Sequence, residues 1–243
     1  LILAPDRSKL SKRHGAVSVS EYKTIGHLPE ALVNFLALLG WNPGTDKEIC
    51  TRGELISAFD IEKVQKGGAV FNEEKLKWMN REHLRALSHE KVAPLVWDRL
   101  PEDLRIKALA ARGVGARLLP FIIDRIHVLS EVTTLADAGE FSFYLDAPRI
   151  EKEKIVWKKG TAEKTLAHLD KIASILHTAS FESPDTIKRA LFPYADKEGR
   201  GEVLWPLRYA LSGRETSPDP FTITYVIGKE ETLRRIQIAR DLV

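Results

Sequence analysis

Two lysines three residues apart stand in the string Lys9-Leu-Ser-Lys12-Arg13-His14-Gly15. Lysine ammonium groups are mobile point cations suited to phosphate oxygens, and a glycine lets the backbone approach a ligand closely. A loop of this kind can stabilise the charge that develops on a pyrophosphate group during nucleotidyl or phosphoryl transfer. It is not a Walker A loop, because G-x-x-x-x-G-K-[ST] is absent, and no G-x-G-x-x-G is present either. On composition alone, a basic loop reads as solvated surface.

Two other places carry candidate binding residues. Lys152, Lys154, Lys158, Lys159 and Lys164 surround Trp157, and from Arg149 to Lys171 seven bases meet four acids. RNA contact and solvated surface are both open for that stretch. Further on, Trp205-Pro-Leu-Arg208 precedes Arg214-Glu-Thr-Ser217-Pro-Asp-Pro220. An arginine fork matches base edges and phosphates, and a serine hydroxyl can supplement it. Unstacked bases of an RNA loop need such edge contacts together with stacking surfaces. Taken without further context, Arg208 is a helix-surface charge and Arg125 a solvent-facing arginine. Trp78, Trp97, Trp157 and Trp205 read as core anchors. Acid pairs such as Glu73-Glu74 flank helix starts, where they favour the dipole, so paired-carboxylate hydrolysis is not indicated. No metal site is expected: the histidines are isolated and Cys50 stands alone.

The elements that must position these residues follow from pattern. The chain has 243 residues, 44% hydrophobic and 29% charged, a globular composition able to bury a sizeable core. Residues 1–20 hold Arg7, Lys9, Lys12 and Arg13 against Asp6, so the whole formal excess of +3 sits there. Any other nucleic-acid surface must therefore be made by folding. The lone cysteine points to a reducing compartment, and no apolar run approaches the roughly 18 residues of a membrane helix. The opening Leu1-Ile-Leu-Ala-Pro, without methionine, predicts that the numbering starts inside a longer protein.

A short strand is predicted over Leu1–Ala4 and a second over Ala69–Phe71. Pro29 opens a helix that Gly40 ends, Thr51 and Glu54 have capping-box spacing, and Asn72 caps Glu73–Leu87. Ser88 starts a helix in which Pro94 is a conflict. Further helices are predicted over Leu118–Leu129, Thr161–Thr178, from Ser183-Pro184, over Val203–Leu211 and over Glu230–Leu242. Gly213–Pro220 reads as a proline-broken loop, and Thr222–Ile227 as helical or mixed. The fold class is mainly α, with a small α/β start.

Lys9-Leu-Ser-Lys-Arg13 resembles the second signature of class I aminoacyl-tRNA synthetases, K-M-S-K-S, with Leu10 for Met and Arg13 for the last Ser. The string Asp6–Ala16 is similar to that of the bacterial-type glutamyl-tRNA synthetase family. So are Leu28–Trp41, Phe71–Asn80, Leu204–Gly213 and Gly228–Ile236, in family order. The resemblance implies a ligase that joins glutamate to tRNA through an ATP-derived glutamyl adenylate. It implies residues 1–88 as the signature loop plus a stem-contact domain, then two helical anticodon-binding subdomains, 89–147 and 148–243. Lys9 and Lys12 would be catalytic, and Lys9, Ser11, Lys12 and Arg13 would bind ATP. Arg125, Arg208, Ser217 and Pro220 would lie by the anticodon. Asp219-Pro220 departs from the family's usual Gly-Leu.

Also implied are ATP with Mg in the whole enzyme, tRNA(Glu) as partner, tRNA(Gln) as a further one in a nondiscriminating form, a monomer, and a cytoplasmic site without membrane contact. No H-I-G-H-type string is present, so this chain alone is expected not to aminoacylate. The alternative is a helical protein-interaction scaffold without RNA function.

Overall fold

The computed structural model describes residues 1–11, 18–111, 113–158 and 160–243. Lys12 and Arg13 of the basic loop lie outside the described residues. In chain order the elements are β1 (Ile2–Leu3), α1 (Val19–Ile25), α2 (Pro29–Gly40), α3 (Arg52–Ala58), a 3-10 turn at Ile61–Lys63, β2 (Ala69–Val70), α4 (Glu73–Ala86) and α5 (His89–Trp97). There follow α6 (Glu102–Ala110), α7 (Val114–Arg125), α8 (Ser130–Asp137), α9 (Ser142–Leu145), α10 (Lys152–Ile155), α11 (Ala162–Thr178), α12 (Pro184–Glu198), α13 (Arg200–Ser212), α14 (Pro220–Ile227) and α15 (Lys229–Leu242). The two short strands pair in parallel, Ile2 opposite Ala69. This is the mainly helical architecture with a small α/β start that the sequence predicts.

Two compact units divide the chain, one of Leu1–Leu100 with Leu119–Thr134, the other of Pro101–Leu118 with Leu135–Val243. In the first, side-chain caps close several helices, while Ser88 stands at the start of α5 without a side-chain cap bond. Thr51 and Glu54 form a reciprocal capping box on α3, Ser18 and Glu21 do the same on α1, and the Asn72 side chain accepts from the Lys75 amide. Each cap satisfies amides that a helix end leaves orphaned. The apolar faces of α2 and α4 meet in a core of Tyr22, Phe35, Leu76 and Met79, with Leu32 and Phe71 packed against it. Trp41, Cys50 and Leu55 form a second cluster, which places Trp41 over the end of α2 as its position suggests.

Buried amides tie this unit together. Asn34 Oδ1 accepts from the Cys50 amide at 2.9 Å and lies 3.0 Å from His83 Nε2. Asn80 Oδ1 accepts from the Leu28 amide at 2.7 Å, and its Nδ2 donates to the His127 carbonyl. Burial pushes the His83 imidazole below its usual range, against the opposing pull of Glu30, and burial likewise lowers His27 despite Glu73 and Glu131. Both rings are thus favoured neutral in the fold. A group lowered on folding contributes stability above its unfolded value and loses it as pH falls. The unfolding free energy is therefore expected to fall as pH drops below about 6.5, by at most ~1.4 kcal/mol per pH unit for each histidine. Urea melts of the chain and of His83→Gln across that range test this; parallel pH profiles would refute the His83 contribution.

In the second unit α11 packs against α13 and α15, and α12 against α13 and α14. Leu169, Ile172, Leu176, Leu191, Val203, Leu207, Ile223 and Ile236 are completely buried between them. Helix α5 runs through Pro94 and α13 through Pro206, so neither proline ends its helix. The predicted loop stops one residue early. Asp219 caps α14 through the Thr222 amide and Pro220 takes the first helical position, where a missing N–H is harmless. Asp219-Pro220 is thus a helix start. Among the described residues no helix is long and apolar enough to cross a membrane.

Candidate nucleic-acid interface

Helix α13 divides its residues by face. Val203, Leu207, Ala210 and Leu211 go to the core, while Trp205 and Arg208, three apart, share another side and stay half-buried. Gly213, in the left-handed region at φ 64°, ends the helix and its amide donates to the Tyr209 carbonyl. The Arg208 guanidinium lies 5.0 Å from the Trp205 ring centroid, and its Nη2 donates to the Glu215 carbonyl at 2.8 Å. Stacking and one hydrogen bond fix the plane of a fork that has five N–H donors. That is pre-organisation suited to a base edge or a phosphate.

The loop between α13 and α14 holds the neighbouring candidate. Ser217 is half-buried and its hydroxyl is 3.1 Å from the Pro218 carbonyl. Pro220 is buried at the start of α14. Arg208, Ser217 and Pro220 are thus gathered around one loop. Arg214 in the same loop is committed elsewhere: its guanidinium donates to the Ala138 and Gly139 carbonyls, at 3.1 Å each, and pairs with Glu140.

Lys9, Ser11 and Arg125 belong to the other unit. Asp6 Oδ1 accepts from the Ser8 amide and hydroxyl, and Arg7 takes φ 65°. The chain folds back so that Lys9 bridges antiparallel to Leu3. Lys9 is exposed at this turn and Ser11 half-buried. Arg125 is exposed in the last turn of α7, where a cation favours the helix dipole.

The tryptophans divide. Trp97 is buried, as expected of a core anchor, whereas Trp78 is 39% exposed and Trp157 and Trp205 are half-buried. The Trp157 and Trp205 rings lie 5.3 Å apart, and Trp205 Nε1 donates to the Lys154 carbonyl at 2.9 Å. The Lys154 ammonium is held above its usual range by its hydrogen bond to Glu151, and it also meets Glu215. Sequence reasoning missed this grouping. The one signal was a tryptophan inside a lysine-rich run, and nothing in the pattern joins residue 157 to α13.

Comparison with known proteins places the chain in a family. Residues 73–240 match the anticodon binding domain family, and residues 1–78 match the catalytic domain of class I (E and Q) tRNA synthetases. The chain is similar to glutamate–tRNA ligase 1 of Fervidobacterium nodosum, 37% identical over 238 residues, covering 98% of this chain and 47% of that protein. The glutamate–tRNA ligase of Dehalococcoides mccartyi is 37% identical over 243 residues, covering 98% of this chain and 49% of that protein. A solved glutamate tRNA ligase from Elizabethkingia meningosepticum superposes with a TM-score of 0.67 at 28% identity, over 99% of this chain and 50% of that one. The chain spans about half the length of the curated relatives it matches. With well over half of its residues matched, the chain belongs to the anticodon binding domain family.

Proposed function

We propose that the chain is the tRNA-handling part of a glutamate–tRNA ligase, in which Arg208 reads an unstacked anticodon base. The observation that carries this is the fixed Arg208 fork beside the α13–α14 loop, within a family match that spans both. Ser217 and Pro220 supply the adjoining contacts, and Arg125 reads another anticodon position. Residues 1–88 act as the signature loop with the stem-contact domain, and 89–147 and 148–243 as the two anticodon-binding subdomains.

The whole ligase uses ATP with Mg to form glutamyl adenylate and passes glutamate to tRNA(Glu) in the cytoplasm, acting as a monomer. An exposed Lys9 at a turn fits a cation meeting an ATP phosphate, with Lys12 beside it in sequence and Ser11 and Arg13 in support. This chain alone does not aminoacylate. Activity of the isolated chain would refute that assignment.

The test is a tRNA-binding titration with tRNA(Glu), anticodon-altered tRNA(Glu) and an acceptor minihelix. The unaltered chain should prefer the cognate anticodon, and Arg208→Ala should lose about 10- to 100-fold on the cognate tRNA, the usual scale of a base-reading arginine. On the anticodon-altered tRNA the same substitution should change little. Equal affinity of the unaltered chain for all anticodons would refute the reading.

A further inference from the structure

We propose that Trp157 and Lys158 form a stacking subsite for an unpaired RNA base outside the anticodon triplet, adjoining the place of Arg208. The inference rests on the tRNA reading above and extends it to residues outside the α13–α14 loop.

Trp157 follows the single turn of α10, which is anchored by the fully buried Ile155. The indole lies so close to α13 that a Cβ at Gly201 would fall 3.0–3.1 Å from three of its atoms. Glycine at 201 therefore lets the ring settle on the helix, next to Trp205 one turn further along. This seating leaves Trp157 half-buried. Cations stand at both ends of the aromatic pair: Lys158 Nζ is 5.8 Å from the Trp157 centroid, and Arg208 lies over Trp205. Among the described residues no carboxylate pairs with Lys158, whereas Lys154 is taken up by Glu151 and Glu215.

Exposed indole surface bracketed by cations suits a ligand that is both flat and anionic. Single-stranded nucleic acid is such a ligand, because every base offers a π-face and every linkage a phosphate. Arg208 already addresses a base edge in the reading above. A second, sequence-tolerant contact beside it would hold the loop open for that reading.

The experiment uses an anticodon stem-loop RNA with an abasic site placed in turn at each loop position outside the triplet. For the unaltered chain, one position should weaken binding by about 5- to 150-fold, the range of base–aromatic stacking. In Trp157→Leu, which keeps an apolar side chain on Gly201, that abasic penalty should vanish; Trp157→Phe should retain part of it. Lys158→Gln should lower the slope of log affinity against log salt by about one. An equal abasic penalty in Trp157→Leu and the unaltered chain, with binding still dependent on Arg208, overturns the subsite alone. Failure of the unaltered chain to bind the stem-loop overturns the subsite and the tRNA reading together.

Discussion

Replacing Arg235 with alanine is expected to destabilise the chain by about 3–5 kcal/mol, the cost of breaking a buried, fully paired charge. Arg235 is 2% exposed. Its Nη1 donates to the Phe143 and Leu211 carbonyls at 2.6 Å each, its Nη2 to the Asp146 carbonyl at 3.0 Å, and its Nε to Glu231 at 2.7 Å. Burial pushes the guanidinium below its usual range and pushes the Glu231 carboxyl up. For Glu231 the neighbouring Arg234 and Arg235 outweigh burial and hold it below the usual carboxylate range. Alanine removes the donors, leaves three carbonyls short of partners and Glu231 with Arg234 alone, and opens a cavity besides. Arg235→Met separates these effects: it refills most of the volume but restores no donor, so it should recover only a minor part of the loss. Urea denaturation with an unchanged m value measures both variants. A loss below about 1 kcal/mol in Arg235→Ala would contradict this account.

The same arginine bears on the candidate site. Leu211 lies three residues beyond Arg208 on α13, so the Arg235 hydrogen bond fixes the helix that presents the Arg208–Trp205 stack. The sequence contains Arg235 in plain view, but within Gly228–Ile236 it looks like one more base on an amphipathic surface helix. Its burial depends on carbonyls from residues 143, 146 and 211, which only tertiary folding brings together. The caps at Thr51 and Asn72 were legible for the opposite reason: donor and acceptor lie within three residues, and helix-start chemistry is local. Arg208 and Ser217 stand out only through the family resemblance, and their surroundings do not stand out at all. Trp157 reaches the site through its packing on Gly201, and the Asp219-Pro220 departure turned out to start a helix.

Gly26→Ala should cost about 2–4 kcal/mol, from a side chain forced into the left-handed region plus an overpacked contact. Gly26 has φ 99° and ends α1, its amide donating to the Tyr22 and Lys23 carbonyls. A Cβ built there would lie 2.5 Å from Leu129 Cβ and 2.8 Å from the Leu129 nitrogen. The approach is close because the Leu129 amide donates to the Gly26 carbonyl at 3.2 Å, while Asn80 joins the Leu28 amide to the His127 carbonyl beside it. Asp124 is held as well, its carbonyl by Arg81 at 2.8 Å and its carboxylate by Arg85 at 2.7 Å. Helix α4 therefore clasps the end of α7, the turn that carries Arg125, and Gly26 closes that clasp. Gly53→Ala is the control: Gly53 lies in α3 with nothing within 4 Å of an added Cβ, so it should instead stabilise by roughly 0.5–1 kcal/mol. Opposite signs in paired urea melts are the expected result. Equal midpoints for Gly26→Ala and the unaltered chain would mean that the 26–129 contact yields at little cost, and that the end of α7 is held by Asn80, Arg81 and Arg85 alone.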